Sequence, residues 1–253
     1  AVWSSCSPDF GAGAVTDRFA QIEPKVLLAV DGYTYGGKPF DRRQTVADLA
    51  AGMPTIERVV VLPYLDPDPD LEAIAGAITW QDLLDTDPAA KLEFTRVPFD
   101  SPLWILYSSG TTGLPKGVYF SHRQLVLHTL AVATALGTAA GQGRVHRDDV
   151  YMPITPMFHV HAWGMPYLAT MLGMKQVYPG RYSPDMLLKL IASEGVSFSH
   201  CVPTILHMLL TDKAGANVDL SGCKMIIGGA AFPKGLAAAA LAFVPPLLIP
   251  GAH

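Results

Sequence analysis

Cysteine is scarce in this sequence, and the positions of the few cysteines exclude two common uses of the residue. The 253-residue chain contains three cysteines, Cys6, Cys201 and Cys223, which lie far apart. They show neither the spacing of a zinc site nor the even number of a disulfide framework. Isolated thiols are typical of proteins kept in a reducing environment, so we expect a cytoplasmic location.

Long apolar runs are also missing, which argues against an integral membrane segment. A membrane span needs roughly 18 consecutive apolar residues. The run 125–136 contains His128, and the run 236–249 is interrupted by Pro245 and Pro246. The chain lacks the basic N-terminal region of a signal peptide and begins at Ala1 rather than at Met. We interpret it as an internal piece of a longer protein.

Charged residues make up 16% of the chain, which has a formal net charge of −4 and no basic block. Contact with a nucleic-acid backbone requires clustered Lys and Arg, so nucleic acid is not an expected partner. Hydrophobic residues reach 50%, enough for a sizeable buried core in a chain of this length. Small molecules are therefore the expected ligands.

Two motifs of common enzyme classes are absent as well. No Gly-x-Ser-x-Gly elbow occurs, so an α/β-hydrolase is not indicated. Gly11-Ala12-Gly13 lacks the third glycine of the dinucleotide-binding fingerprint and follows no predicted buried strand. A nicotinamide-dependent dehydrogenase is therefore not expected.

What the sequence does contain is a loop suited to holding phosphate, between Tyr107 and Gly117. It combines three glycines, four hydroxyl side chains and one lysine. Glycines allow consecutive backbone N–H groups to converge on an anion. Hydroxyls add neutral donors, and a lysine adds a positive charge on a flexible stem. The predicted phosphate-binding residues are Ser108, Ser109, Gly110, Thr111, Thr112, Gly113 and Lys116.

This loop is not a Walker A motif, because Lys116 is followed by Gly117 and an apolar strand instead of a Ser or Thr that opens a helix. Ser121 is the expected N-cap of the next helix. The predicted order is strand 103–107, loop 108–117, strand 118–120 and helix 122–136. An ordinary surface turn rich in Gly, Ser and Thr is the alternative interpretation.

Along the rest of the chain, short apolar runs alternate with segments of helical periodicity. This alternation is typical of an α/β protein whose mostly parallel sheets are flanked by helices. The other predicted strands are 25–30, 58–63, 150–152, 175–178, 197–202 and 224–227. The other predicted helices are 15–22, 43–51, 79–84, 164–172, 183–194, 203–212 and 233–241.

At the phosphate loop the sequence resembles the adenylate-forming enzymes, which include acyl-CoA synthetases, luciferases and adenylation domains of peptide synthetases. Two further segments resemble that family in the same order, Pro156-Met157-Phe158-His159-Val160 and Gly228-Gly229-Ala230-Ala231-Phe232. The resemblance implies part of the N-terminal domain of such an enzyme. It also implies a small-molecule carboxylic acid as substrate, with ATP, Mg²⁺ and CoA.

The two halves of the chain resemble different branches of the family. Residues 1–116 are most similar to acetoacetyl-CoA synthetases, through the runs 3–11 and 18–38. Residues 117–242 are most similar to fatty-acid or alkanoate–CoA ligases, including the His-rich run that begins at His159. A recombinant or chimeric origin is one explanation, and a divergent natural relative is the other.

His159 and His161 admit three interpretations. Alternate residues of a strand share a face, so two imidazoles there suit a metal ion, but no third ligand stands at a suitable spacing and no metal ligand is predicted. A packed structural histidine is the second interpretation. The resemblance implies the third, in which His159 and Lys116 are catalytic and His159 holds the carboxylate of the acid against the α-phosphate.

The resemblance also assigns the acyl and adenine contacts. The residues it implies for the acyl pocket are His159, His161, Trp163 and Gly164, and ordinary packing explains the last three equally well. Residues 228–231 follow a predicted strand, and open α/β sheets bind ligands at such strand ends. Gly229, Ala230 and Ala231 are implied to cover one side of the adenine, with a tight turn as the alternative.

The reaction implied by the resemblance has two steps, acyl-adenylate formation with release of pyrophosphate, and displacement of AMP by the thiol of CoA. The family's metal-binding glutamate, ribose-binding aspartate and C-terminal domain with its catalytic lysine have no counterpart here. We expect residues 1–100 to form a first α/β portion and residues 101–253 the phosphate-loop and acyl/adenine-site portion, with the C-terminal domain absent. A non-catalytic nucleotide-binding fragment and an acetoacetate-specific ligase are the alternatives.

Overall fold

The computed structural model of the protein describes residues 1–8, 10–107, 114–140, 143–157, 159, 164–180, 182–213, 218–243 and 247–248. The chain divides into two compact units, Ala1–His122 (unit 1) and Arg123–His253 (unit 2). Each unit has sheets and apolar clusters of its own. The α/β class predicted from the sequence is confirmed. None of the described helices is long and apolar enough to cross a bilayer.

Unit 1 contains eight strands and three helices within its described residues. They are β1 (Trp3–Ser4), α1 (Ala12–Phe19), β2 (Val26–Val30), β3 (Gly32–Tyr35), β4 (Lys38–Asp41), α2 (Arg43–Gly52), β5 (Arg58–Leu62), β6 (Ala77–Thr79), α3 (Trp80–Asp85), β7 (Pro102–Tyr107) and β8 (Gly117–Ser121). One sheet is parallel, in the order β2-β5-β6. A second sheet has the order β1-β7-β8, with β1 parallel and β8 antiparallel to β7.

The core of unit 1 forms where α1 and α2 cover the parallel sheet. Val15 and Phe19 of α1 are four residues apart and are both buried on the same side of the helix. They belong to one apolar cluster with residues of α2, β2 and β5. Strand β5 buries Val59, Val60 and Val61 in succession, as a strand covered on both faces requires. Each such side chain contributes about 1.5–3 kcal/mol.

The hairpin of β3 and β4 in unit 1 was not predicted, although its turn has a recognisable signature. The two strands pair antiparallel from Gly32↔Asp41 to Tyr35↔Lys38. Gly36 and Gly37 join them with φ angles of +56° and +73°. A two-residue turn of this kind needs positive φ at both positions, which glycine adopts without a steric cost.

Unit 2 is built on one five-stranded parallel sheet. Its elements are α4 (His122–Gly137, which begins at the last residue of unit 1), β9 (Val150–Pro153), α5 (Met165–Leu172), β10 (Lys175–Gln176), α6 (Pro184–Glu194), β11 (Phe198–Cys201), α7 (Pro203–Thr211), β12 (Lys224–Ile227), α8 (Lys234–Phe243) and β13 (Leu247–Leu248). The strand order is β10-β9-β11-β12-β13. All four strand pairs are parallel.

Both faces of this sheet are buried, and successive residues alternate between them. In β9, Tyr151 joins the apolar cluster that contains Met165 and Leu168 of α5, whereas Met152 joins the cluster that contains residues of α6 and α7. Met225 and Ile227 of β12 belong to the second cluster. Helices on both faces explain why these strands appear in the sequence as continuous apolar runs.

Most predicted elements are confirmed, and their ends differ by a few residues. Strand β12 has its predicted bounds, whereas β10 has two residues instead of four. Helix α1 covers 12–19 instead of 15–22, because the N–H groups of Gln21 and Ile22 bond to carbonyls three residues back and end the helix in a tighter turn. Ser183 is the N-cap of α6, and its hydroxyl donates to the carboxylate of Asp185 instead of accepting a backbone N–H.

Candidate functional site

In unit 1, the two strands that flank the predicted phosphate loop lie side by side. Strand β7 ends at Tyr107, β8 begins at Gly117, and these two residues are paired across the antiparallel ladder. The structure therefore brings the two ends of the loop together, as the predicted strand–loop–strand order requires. The predicted phosphate-binding residues Ser108, Ser109, Gly110, Thr111, Thr112 and Gly113 lie outside the described residues.

Tyr107 and Gly117 fit closely at the base of the loop. A Cβ atom on Gly117 would lie 3.3 Å from both Cγ2 of Ile105 and Cε1 of Tyr107, so glycine permits this approach. The Tyr107 hydroxyl donates a hydrogen bond of 2.6 Å to the carbonyl of Arg18. Burial raises the pKa of Tyr107, and the hydrogen-bonding Ser4 hydroxyl partly offsets this, so the hydroxyl keeps its proton at neutral pH.

Lys116 is exposed and stands immediately before β8. The preceding residue, Pro115, has its carbonyl bound by the side-chain amide of Gln21 at 2.9 Å. An exposed ammonium group on a four-carbon stem can bind an anionic ligand as a point charge. Unit 1 therefore presents a cation at the exit of the loop, and the backbone before that cation is held by a hydrogen bond.

In unit 2, the other described site residues follow strands of the parallel sheet. His159 comes after β9, and Gly229, Ala230 and Ala231 come after β12. Strand β11 lies between β9 and β12, and all three run in the same direction. Their carboxyl ends thus share one edge of the sheet, which is the edge where open α/β sheets bind ligands.

His159 is held by a short turn and exposes its side chain. Its backbone N–H donates to the carbonyl of Pro156 at 2.9 Å. Its side chain is exposed, unlike that of a histidine packed in a core. His161, the other half of the metal interpretation, lies outside the described residues. Among those residues, no group of three or more His, Cys, Asp or Glu side chains is arranged to hold a metal ion.

Gly164 is buried at the start of α5 and contacts α4. A Cβ atom there would lie 2.6 Å from Cε1 of His128 and 3.2 Å from its Nδ1. The φ angle of Gly164 is −82°, which any residue adopts, so the close approach to His128 is what favours glycine here. Trp163, predicted beside it in the acyl pocket, lies outside the described residues.

The loop after β12 consists of residues with small side chains and turns at Gly229. A flat ring could therefore approach its backbone. The N–H of Gly228 donates to the carbonyl of Cys201 at 3.3 Å, which extends the β11–β12 pairing into the loop. Gly229 has a φ of +84°, a conformation that favours glycine. Gly229, Ala230 and Ala231 are exposed.

Unit 2 contains a buried charge network at the amino ends of its strands, which the sequence did not predict. Lys224 Nζ lies 2.5 and 2.6 Å from the two carboxylate oxygens of Asp149 and donates to the carbonyl of Arg144 at 2.9 Å. Asp149 also accepts from the Ser197 hydroxyl at 2.7 Å and from the His146 N–H at 2.8 Å. Its signal in the sequence is a charged residue at the start of each of two apolar runs, Asp149 directly before β9 and Lys224 as the first residue of β12.

A buried hydroxyl in unit 2 and a recess in unit 1 were also not predicted. Thr155, two residues beyond β9, has a buried hydroxyl with no hydrogen-bond partner in the part of the chain that the structure describes. A recess of about 220 Å³ in unit 1 is lined by Ala47, Ala50 and Ile56, among others. None of the predicted site residues that the structure describes lines it, so volume alone does not mark the site.

Comparison with known proteins identifies the family. A family model described as AMP-binding enzyme matches residues 1–251. A long-chain-fatty-acid–CoA ligase of Thermus thermophilus is 39% identical over 188 residues, which are 73% of this chain and 31% of that protein. An acetoacetyl-CoA synthetase of Gallus gallus is 43% identical over 121 residues, 46% of this chain and 18% of that protein.

A solved structure of a relative has a similar fold. Acetoacetyl-CoA synthetase from Streptomyces lividans is 30% identical, with a TM-score of 0.78, over 99% of this chain and 39% of that one. The similar proteins therefore include both kinds that the sequence indicated, acetoacetyl-CoA synthetases and fatty-acid–CoA ligases. The chain spans less than two fifths of the length of each of these three proteins.

Proposed function

Since this chain belongs to the AMP-binding enzyme family, we propose that it carries the ATP-binding part of an acid–thiol ligase that forms AMP. In the first step, a carboxylate oxygen attacks the α-phosphorus of ATP and the bond to pyrophosphate breaks. In the second step, the sulfur of CoA attacks the acyl carbonyl and AMP leaves. The products are an acyl-CoA, AMP and pyrophosphate.

The observation that carries the proposal is the placement of Lys116. It is an exposed cation at the exit of a glycine- and hydroxyl-rich loop whose two ends are paired. Bringing an anionic acid to a polyphosphate requires positive charge and oriented donors that offset the repulsion. We assign that task to Lys116 with the loop residues 108–113. Mg²⁺ would enter with the nucleotide, bound to its phosphate oxygens.

The residues of unit 2 supply the other proposed contacts. We assign the carboxylate of the acid to the exposed imidazole of His159, which can donate a hydrogen bond. The exposed loop of Gly229, Ala230 and Ala231 would take one face of the adenine, since its small side chains leave the backbone accessible. His161, Trp163 and Gly164 remain the proposed lining of the acyl pocket.

For the acid, we propose an alkanoate, and acetoacetate is the second candidate. The fatty-acid–CoA ligase aligns with 73% of this chain, whereas the acetoacetyl-CoA synthetase aligns with 46% at slightly higher identity. Each buried methylene contributes about 0.8 kcal/mol to binding. A pocket built for alkanoates should therefore favour longer apolar acids over acetoacetate.

We also propose a cytoplasmic location, because Cys6, Cys201 and Cys223 are all free thiols.

The test is ATP–pyrophosphate exchange with residues 1–253 joined to the remaining part of a fatty-acid–CoA ligase. We expect exchange with medium-chain and longer acids that exceeds exchange with acetoacetate. Residues 1–253 by themselves should form no detectable thioester from ATP, CoA and the same acids. No exchange with any acid, while the parent ligase is active, would refute the proposed activation. A clear preference for acetoacetate would refute only the assignment of the acid.

A further inference from the structure

The turn that ends α1 in unit 1, residues 17–22 (the α1 turn), has the carbonyls of Asp17, Arg18 and Phe19 bound by identified donors. A helix end leaves its last carbonyls without intrahelical partners. Here Arg18 O accepts from the N–H of Gln21, and Phe19 O accepts from the N–H of Ile22. Asp17 O accepts from the side-chain amide of Gln21. These hydrogen bonds close the turn directly after a helix that packs into the core of unit 1.

Gln21 connects the α1 turn to the exit of the phosphate loop. A Gln side chain has two N–H donors on one nitrogen. Gln21 Nε2 donates to Asp17 O within the turn and to Pro115 O, 94 residues away, at 2.9 Å. The second bond holds the carbonyl of the residue directly before Lys116.

The same turn also holds the entrance of the loop. The Tyr107 hydroxyl donates to Arg18 O at 2.6 Å, and Tyr107 belongs to the buried periphery of the α1 and α2 core. One turn of one helix thus binds the residue before the loop and a residue at its end. Tyr107 is also paired with Gly117, and the bond from Gln21 acts on the backbone two residues before Gly117.

We propose that Gln21 is a positioning residue for Lys116. Its bond to Pro115 fixes the backbone one residue before Lys116, and so determines where the ammonium group meets the phosphates of the nucleotide. This inference rests on the proposed function, and it gives an exposed, uncharged residue of the α1 turn a role in placing a charged one.

The variants that test this are Gln21→Met, which keeps the length of the side chain and removes the donors, and Gln21→Lys, which restores a donor. Gln44→Met is the matched control, because Gln44 is an exposed glutamine of unit 1 whose amide bonds to Asp48 at 2.8 Å. Gln21 is exposed, so the Met variant should retain the fold, which thermal unfolding checks.

The first measurement uses no nucleotide. Backbone hydrogen exchange in residues 114–119 should rise about two- to twelvefold in Gln21→Met, the factor expected when a typical hydrogen bond is lost. It should return toward the native rate in Gln21→Lys and stay unchanged in Gln44→Met. An unchanged exchange rate in Gln21→Met would overturn the proposal.

The second measurement is a double-mutant cycle on the affinity for Mg-ATP. Gln21→Met should weaken binding about two- to twelvefold in the native background and leave it unchanged when Lys116 is already Ala, because the effect runs through Lys116. An equal loss in both backgrounds, or no loss in the native background, would overturn the positioning role. If the native chain failed to bind Mg-ATP, the proposed function would fail, and the exchange measurement would still decide whether Gln21 holds the loop.

Discussion

Replacing Lys224 by Met should lower the free energy of unfolding of unit 2 by about 3–5 kcal/mol, the typical cost of breaking a buried ion pair by removing one partner. The side chains of Lys224 and Asp149 are only 8% and 3% exposed, and they are 2.5 Å apart. Met fills a similar volume, so the loss reports the missing charge and not a cavity. Asp149 would keep two donors, from Ser197 and His146, which places the loss toward the lower end of the range.

The loss expected for Lys224→Met is large compared with the free energy of unfolding of a typical domain, about 5–15 kcal/mol. Urea unfolding followed by hydrogen exchange in peptides from β9, β11 and β12 measures it for unit 2 separately. The control is Lys175→Met, since the Lys175–Glu194 pair is of similar length, 2.7 Å, but its side chains are 54% and 39% exposed. That change should cost only about 0–1 kcal/mol.

A second change distinguishes the charge from packing. In the Lys224→Met background, Asp149→Asn removes the uncompensated carboxylate while keeping an acceptor, so the double variant should be more stable than the sum of the two single losses predicts. We expect a coupling energy of at least about 1 kcal/mol, within the range found for residues in contact. A loss in Lys224→Met no larger than that in Lys175→Met, or strict additivity, would refute the reasoning.

Three other outcomes are expected. Thr155→Val should raise the free energy of unfolding by about 1 kcal/mol in urea titrations, because it removes a buried hydroxyl that has no partner among the described residues; destabilisation would show that the hydroxyl is satisfied. Gly164→Val should lower the thermal midpoint through its contact with His128, and the added change His128→Ala should recover part of the loss if that contact is the cause. Burial raises the pKa of Cys201 and Cys223 from 9.0 to about 12. The unfolded chain therefore loses these protons first, and the free energy of unfolding should fall as the pH rises from about 9 to 12, a slope that replacing both thiols by Ala should reduce.

The regular part of the fold could be predicted from the sequence because its signals are local. Strand β12 was predicted with its observed bounds, since an apolar run ends directly at Gly228-Gly229. The hairpin of β3 and β4 also has a local signal, because the pair Gly36-Gly37 is typical of a two-residue turn between antiparallel strands. The two-residue strands β1 and β13 could not be predicted from local signals, because each is defined by its pairing with a strand that lies elsewhere in the sequence.

The candidate site divides in the same way. The residue types that suit phosphate, from Ser108 to Lys116, are contiguous and could be recognised in the sequence. The contact of Gln21 with Pro115 in unit 1 could not be recognised, because these residues are 94 positions apart, and the Lys224–Asp149 pair of unit 2 spans 75 positions. Neither pair has a spacing that suggests contact, and both depend on which strands and helices become neighbours in the folded chain.

We propose that this chain binds ATP through the loop that ends at Lys116, and isothermal titration calorimetry with Mg-ATP measures that binding. We expect the native chain to bind and Lys116→Ala to bind more weakly by about 1–3 kcal/mol, the contribution of a charged hydrogen bond. Lys91→Ala, which removes another exposed lysine of unit 1, should bind as the native chain does. Equal affinities for the native chain and Lys116→Ala would contradict the assignment of this loop to the nucleotide.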